Sequence, residues 1–260
     1  MEQLSARQND ILGLAKQQGR VEVEALAQTF AVSPQTIRKD LNDLCDRRIL
    51  QRVHGGAIVG TGIENLSYDA RRLLAPEAKQ LIGKRAAELI PDNSSLLINI
   101  GTTTEQVAHA LKSHHGLLVI SNNVNAVYIM KNFVGIELII AGGLVRLSDG
   151  GIVGDAAVDF INQFKVDYAV IGVSAIDEDG SLLDYDLREV RVAQAIIKNS
   201  RHVILVADRL KLERTAPVRL SHVSEIDTIV TDGVFPEKLR NICRDSGVEI
   251  VVASGSLLQK

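Results

Sequence analysis

Val32-Ser33-Pro34-Gln35-Thr36-Ile37-Arg38-Lys39-Asp40-Leu41 is the stretch on which the N-terminal fold turns. Ser33 is a helix-capping residue, and Pro34 suits the first helical position, where its missing N–H costs nothing. Ile37, Leu41 and Leu44 follow at i, i+4 and i+7, one apolar stripe. Off the stripe stand Gln35, Thr36, Arg38, Lys39 and Asn42, side chains suited to base edges and phosphates. Gln can pair bidentately with adenine and Arg with guanine, and the helix N-terminus itself attracts phosphate.

Upstream, Leu4 to Gln18 carries Ile11, Leu12, Leu14 and Ala15 at helical spacing, closed by Gly19-Arg20. A short helix over about Val23–Phe30 places Leu26, Ala27 and Phe30 inward, and Ala31-Val32-Ser33 turns the chain. Downstream, Ile49 to His54 has the pattern of a strand, Gly55-Gly56 of a hairpin turn, and Ala57-Ile58-Val59 of the returning strand. Arg47, Arg48 and Arg52 continue the positive face into this hairpin. A lone helix of this kind is more often a solvated surface. Between a short helix with a tight turn and a basic Gly-Gly hairpin, it reads instead as the recognition helix of a winged helix-turn-helix covering residues 1–59. Its expected partner is double-stranded DNA, with Ser33, Gln35, Thr36, Arg38, Lys39, Asn42, Arg52 and His54 as candidate contacts.

Residues 60–76 are expected to form a linker. Beyond it, from 77 to 260, apolar strand candidates alternate with amphipathic helical stretches: Leu96–Ile100, Leu117–Ile120, Glu137–Ala141, Tyr168–Gly172, Val203–Ala207, Thr228–Thr231 and Glu249–Val252. That rhythm predicts an α/β domain with a largely parallel sheet covered on both faces.

Three Gly- or Asn-bearing turns follow predicted strands: Gly101-Thr102-Thr103-Thr104, Ser121-Asn122-Asn123 and Ala141-Gly142-Gly143. In an open parallel sheet the carboxyl ends of the strands form the ligand crevice. Glycine lets backbone N–H groups approach an anion, and helix N-termini favour negative charge. A phosphorylated small molecule is the expected ligand. Asp177, Gly180, Glu189 and Lys211 are further candidates, Lys211 for a phosphate and the acids for hydroxyls. Asp177 is equally an ordinary turn former and Glu189 a first-turn helix acid.

The totals narrow the field. The 260 residues are 46% hydrophobic and 23% charged, enough for two domains with a sizeable core. Aromatics are only 3%, which argues against base-stacking platforms for single strands. The net charge of −3 does not exclude DNA binding, because only the local field matters. Cys45 and Cys243 read as free thiols of a reducing cytoplasm. No metal-type spacing, Walker loop, dinucleotide fingerprint or long apolar run is present, so no cofactor, metal or membrane span is expected.

The quoted run, together with His54-Gly55-Gly56-Ala57, resembles the DNA-binding signature of the DeoR family of bacterial repressors. Lys39 departs from the family's usual second arginine, keeping the charge without the bidentate fork. The similarity extends through Ile100–Thr104, Ala108–Leu111, Ala141–Gly143, Asp159–Phe164, Asp179–Leu183, Glu189–Arg191 and Asn199–Val203. It implies a sensor domain similar to ribose-5-phosphate isomerase-like enzymes, sn-glycerol 3-phosphate as inducer, control of glycerol metabolism, and self-association as a dimer or tetramer. The loop Asp208–Ala216 keeps Lys211 and Arg214 but departs at Leu210 and Glu213, which opens the inducer's identity to another sugar phosphate. Two other classes compete: a sugar-phosphate isomerase with Glu189 or Asp177 as base, and a constitutive DNA-binding protein whose second domain only oligomerises.

Overall fold

The computed structural model describes residues 4–47, 49–59 and 68–253. It divides into two compact units, Met1–Leu74 and Ala75–Lys260.

The first unit opens with helix α1 (Ala6–Gln18), whose Ser5 cap and Gln8 side chain reciprocally satisfy backbone donors. Strand β1 (Arg20–Glu22) follows, then α2 (Val23–Thr29), α3 (Pro34–Asp46), β2 (Leu50–Val53), β3 (Gly56–Val59) and α4 (Tyr68–Leu73). Ile37, Leu41 and Leu44 of α3 are wholly buried against Ile11, Ala15, Leu26 and Ala27, so the apolar stripe is the core of this unit. Two local expectations change. The hairpin turn is His54-Gly55, and Gly56 already belongs to β3, which β1 joins to give the order β1–β3–β2. Gly56 is required there because a Cβ would lie 2.0 Å from the Val21 carbonyl oxygen of β1. Within the stretch expected to be linker, 60–67 lies outside the described residues and Tyr68–Leu73 is helical.

The second unit runs α5 (Pro76–Ala87), β4 (Ser95–Ile98), α6 (Thr102–Ala110), β5 (Leu117–Ser121), α7 (Val124–Met130), β6 (Ile136–Ile140), β7 (Leu144–Arg146) and β8 (Gly151–Val153). It continues with α8 (Asp155–Ile161), β9 (Val166–Ile171), β10 (Ala175–Ile176), β11 (Ser181–Asp184), α9 (Leu187–Lys198) and β12 (Ser200–Val206). β13 (Val218–His222), β14 (Thr228–Thr231), α10 (Glu237–Asp245) and β15 (Glu249–Val252) complete it. Seven strands form one sheet, β15–β14–β12–β9–β4–β5–β6, parallel throughout.

Successive strand residues alternate between two cores, as a period of two demands. Leu96 and Ile98 pack under α5, α6 and α7, while Leu97 and Ile120 pack under α8 and α9. Burial on both faces is why the five inner strands read as apolar runs, while the edge strands β6 and β15 stay partly exposed. Two small antiparallel sheets, β7–β8 and β10–β11–β13, stand apart from it. They take in segments that looked like polar loops, including the wholly buried β8.

α5 and α6 approach so closely at Gly83 that an added Cβ would lie 2.5 Å from the Gln106 carbonyl carbon. Ala would gain up to about 1 kcal/mol of helix propensity over Gly, but the atom in the way is backbone and cannot swing aside. Overpacking costs about 1–3 kcal/mol, so Gly83→Ala should be net destabilising. A thermal melt of the full chain should show a fall of a few degrees; an unchanged or raised melting temperature would contradict this packing.

Candidate functional site

α3 presents a sorted surface. Asp40, on its inner side, accepts from Arg7 Nε at 2.6 Å, and Asp43 from Gln8 Nε2 at 2.7 Å and Arg47 Nε at 3.2 Å. The hydrogen bond to Asp40 raises the Arg7 pKa. Two of the helix's three acids are thereby engaged toward α1 and the helix end. Gln35, Arg38, Lys39 and Asn42 are left exposed together with Arg52 and His54 of the hairpin. Arg52 Nη1 donates to Asn42 Oδ1 at 2.7 Å, bracing the wing against the helix. Arg20 fixes the hairpin tip by donating to the His54 carbonyl at 3.0 Å. Ser33 and Thr36 act at the helix start, where Ser33 Oγ accepts from the Thr36 N–H at 3.2 Å and lies 2.9 Å from its hydroxyl. Arg38 lies 3.5 Å from Glu24, an exposed pair that solvent weakens. Arg48 lies outside the described residues.

In the larger unit the parallel register assembles the strand ends. Ile98 pairs with Ser121, so Asn99 and Asn122 follow as neighbours at the carboxyl edge. Gly101, at φ +148°, caps α6 without a side chain, leaving the first-turn N–H groups uncapped above the buried Thr102 and Thr103. Thr104 has a different job: its hydroxyl donates to the Asn99 and Gly101 carbonyls, both at 2.8 Å. Asn123 likewise caps α7, accepting from Asn125 and Ala126. Asn122 Nδ2 donates to the Ile152 carbonyl at 3.1 Å, and the Ile152 N–H returns to the Asn122 carbonyl at 2.7 Å, which lays the β7–β8 hairpin across the edge. Gly142 and Gly143 are exposed beside it, and a Cβ at Gly142 would meet nothing within 4 Å.

Glu189 reaches this region through a residue the sequence did not single out. Arg146 donates to Glu189 at 2.5 Å, to Asp149 at 2.9 and 2.7 Å, and to Asp186 at 3.0 Å, joining the hairpin to the start of α9. These carboxylates outweigh the cost of burying the guanidinium and hold it more firmly protonated than usual. Asp186 is held down to about 2, first by its hydrogen bond from Arg188 and then by Arg146.

Three other expected positions lie on turns. Asp177 and Gly180 form the turn between β10 and β11, closed by a Gly180 N–H bond to the Asp177 carbonyl. Gly180 has φ +87° and a Cβ there would press on His222. Lys211 is half-buried on a 3-10 turn, residues 209–213, reached from β12, which β9 separates from β4.

Residues 7–61 match the DeoR-like helix-turn-helix domain and residues 74–233 the DeoR C-terminal sensor domain. The chain belongs to the DeoR family. A glycerol-3-phosphate regulon repressor of Escherichia coli is 43% identical over 94% of this chain and 97% of its own length. One from Haemophilus influenzae is 42% identical over 97% and 98%. A ribose-5-phosphate isomerase solved with phospho-erythronic acid overlaps 53% of this chain and 54% of its own, with a TM-score of 0.40 and 17% identity.

As a DeoR-type repressor the chain couples a DNA-binding unit to a sensor unit. In the sensor, the residue that sequence inspection passed over is Asn99. It is 1% exposed, and neither its Nδ2 nor its Oδ1 has a hydrogen-bond partner; Asn122 Oδ1 is also unsatisfied. Each such orphan costs about 1–3 kcal/mol. A polar residue ending an apolar strand just before a glycine turn was the available signal.

Replacing Arg146 by Met should destabilise the sensor unit by about 3–5 kcal/mol, since breaking a buried pair leaves charges uncompensated. The sign with pH follows. In the wild type, a depressed carboxyl such as Asp186 stabilises above its ordinary range and loses that only as pH falls through about 2. In Arg146→Met, the buried Asp149 and Glu189 lose their cation, so their negative charges oppose folding where they are ionised, and stability is lost as pH rises. Melting of the two proteins between about pH 5 and pH 8 should show a deficit that widens toward the alkaline end; a constant deficit would assign Arg146 a packing role only.

Proposed function

We propose that this DeoR-type repressor binds operator DNA through α3 and the β2–β3 wing, and is released by a phosphorylated polyol, sn-glycerol 3-phosphate. The observation that carries the ligand reading is the uncapped, buried start of α6. There Gly101 supplies backbone access, Thr102 and Thr103 add hydroxyls, and the helix dipole favours a dianion without a metal. The names of the relatives supply the ligand and the pathway, control of glycerol and glycerol-3-phosphate metabolism. Asn122 and Glu189 stand near enough to the edge to serve the hydroxyl end, Glu189 through its pairing with Arg146. Lys211 would have to reach across from β12, and the departures at Leu210 and Glu213 lie on its turn. We place the protein in the cytoplasm as a dimer or tetramer, since two reading heads on adjacent half-sites bind far more tightly than one.

The isomerase reading fares worse because its bases are committed elsewhere. Glu189 is held at 2.5 Å by Arg146, and Asp177 lies at an exposed hairpin turn. Among the described residues no helix is long and apolar enough to cross a membrane, and no cluster of metal-binding side chains occurs.

Two measurements test the proposal. In gel-shift titrations, Arg38→Ala should cost about 1–3 kcal/mol and relax sequence preference. Lys39→Ala should weaken all sequences alike and flatten the salt slope by about one. If neither changes binding, α3 is not the reading helix. Thr103→Glu sets a carboxylate where the dianion is placed, so operator affinity should survive while release by sn-glycerol 3-phosphate is lost. Release of the variant at the wild-type ligand concentration would remove the site. Release of the wild type only by a different sugar phosphate would keep the mechanism and replace the ligand.

A further inference from the structure

We infer that Asn99, with the Oδ1 of Asn122, is the element that selects a hydroxyl-bearing phosphate ester over a bare one; this rests on the ligand site proposed above. Asn99 is nine-tenths buried and more, yet both ends of its amide lack a partner, and its register neighbour Asn122 has an orphan oxygen. Their other groups are engaged: the Asn99 N–H donates to the Val170 carbonyl, the Asn122 carbonyl accepts from the Ile152 N–H, and the Asn122 side-chain Nδ2 donates to the Ile152 carbonyl. The unused capacity is one donor group and two acceptor oxygens at the ends of two adjacent strands.

That set matches a particular chemistry. A hydroxyl both donates and accepts, so one can bridge the Asn99 amide, and a second can donate to Asn122 Oδ1. A phosphate has only acceptors at full ionisation and would leave both oxygens unsatisfied. The phosphate therefore belongs at the α6 N-terminus and the hydroxyl-bearing carbons at the asparagines. Strand alternation puts Asn99 on the face of Leu97 and Asn122 on that of Ile120, the face covered by α8 and α9. The ligand thus bends over the sheet edge from α6 toward α9. The orphan atoms are closed to solvent, so the edge must open for a hydroxyl to reach them. A ligand that satisfies them favours the opened edge over the closed one.

The test compares sn-glycerol 3-phosphate with n-propyl phosphate, which has the same charge and carbon count without hydroxyls, by calorimetric titration of the full chain. The wild type should prefer the glycerol ester by at least about tenfold, as sites built to hydrogen-bond a hydroxyl do. Asn99→Leu, close in shape, should bring the two esters to within about threefold while raising the melting temperature of the unliganded protein, because the orphan atoms are gone. Asn99→Ser, which keeps one hydroxyl, should retain part of the preference. An Asn99→Leu protein that keeps the full preference overturns this inference and leaves the ligand site standing. A wild type that binds neither ester removes the site itself and the inference with it. A lowered melting temperature in Asn99→Leu would mean that Asn99 is a structural residue, and would also overturn it.

Discussion

A parallel sheet buried on both faces has only its two ends on which to show polar groups. In this chain the pairing of Ile98 with Ser121 brings two strands to the same level at the carboxyl end. Everything chemical in the larger unit depends on that shared level. It sets Asn99 beside Asn122, starts α6 and α7 from adjacent strands, and gives the β7–β8 hairpin a groove to lie across through Asn122 and Ile152. A slip of one residue would turn Asn99 to the face of α5 and α6 and place Ile98 or Ile100 where an amide now stands.

The smaller unit solves a different problem, that of making a basic surface in a chain of net charge −3. Its solution is local pairing. Asp40 and Asp43 lie on the side of α3 that meets α1, where Arg7 and Gln8 engage them, and the helix's positive side chains are left outward. The same bonds orient α3 on α1, so the reading surface and the domain's packing are fixed by one set of contacts. Glu24 beside Arg38 is the exception, an acid on the outer side whose exposed pairing water and salt weaken.

Much of this was legible because burial leaves a strong mark on sequence. The five inner sheet strands showed as apolar runs because both faces of each are covered. The edge strands β6 and β15 showed through their isoleucines and valines although they are partly exposed, and Ile37, Leu41 and Leu44 showed as a helical stripe. What escaped notice was short or depended on partners. β1 is three residues with two charges, and it is held by β3 across a Gly56 contact that no local pattern announces. β8, β10 and β11 hide among glycines and acids because an antiparallel hairpin needs little more than turn chemistry. Asp177 and Gly180 stood out as ligand candidates, Asp177 equally as a turn former, and together they make such a turn. Arg146 was invisible because its meaning lies in three carboxylates spread over 41 residues of sequence, from Asp149 to Glu189. Asn99 was harder still, since what marks it is the absence of partners, a property only of the folded chain.

The two kinds of carboxyl-edge residue divide the work that ligand-controlled release requires. A ligand moves an equilibrium only by its difference in affinity between two arrangements, and a hundredfold difference is about 2.7 kcal/mol. Contacts made equally in both arrangements, such as phosphate held by a fixed helix N-terminus, contribute tightness without release. Groups that are orphaned in one arrangement and satisfied in the other contribute difference. On the proposed site, the α6 start, with its geometry set by Gly101 and the Thr104 hydroxyl, would belong to the first kind. The closed Asn99 amide would belong to the second, as would any bond of the Arg146 cluster that shifts when the edge opens. The cluster's three carboxylates around one guanidinium make that shift costly. On the site proposed above, an edge that resists opening without ligand would keep the repressor on its operator until the hydroxyls arrive.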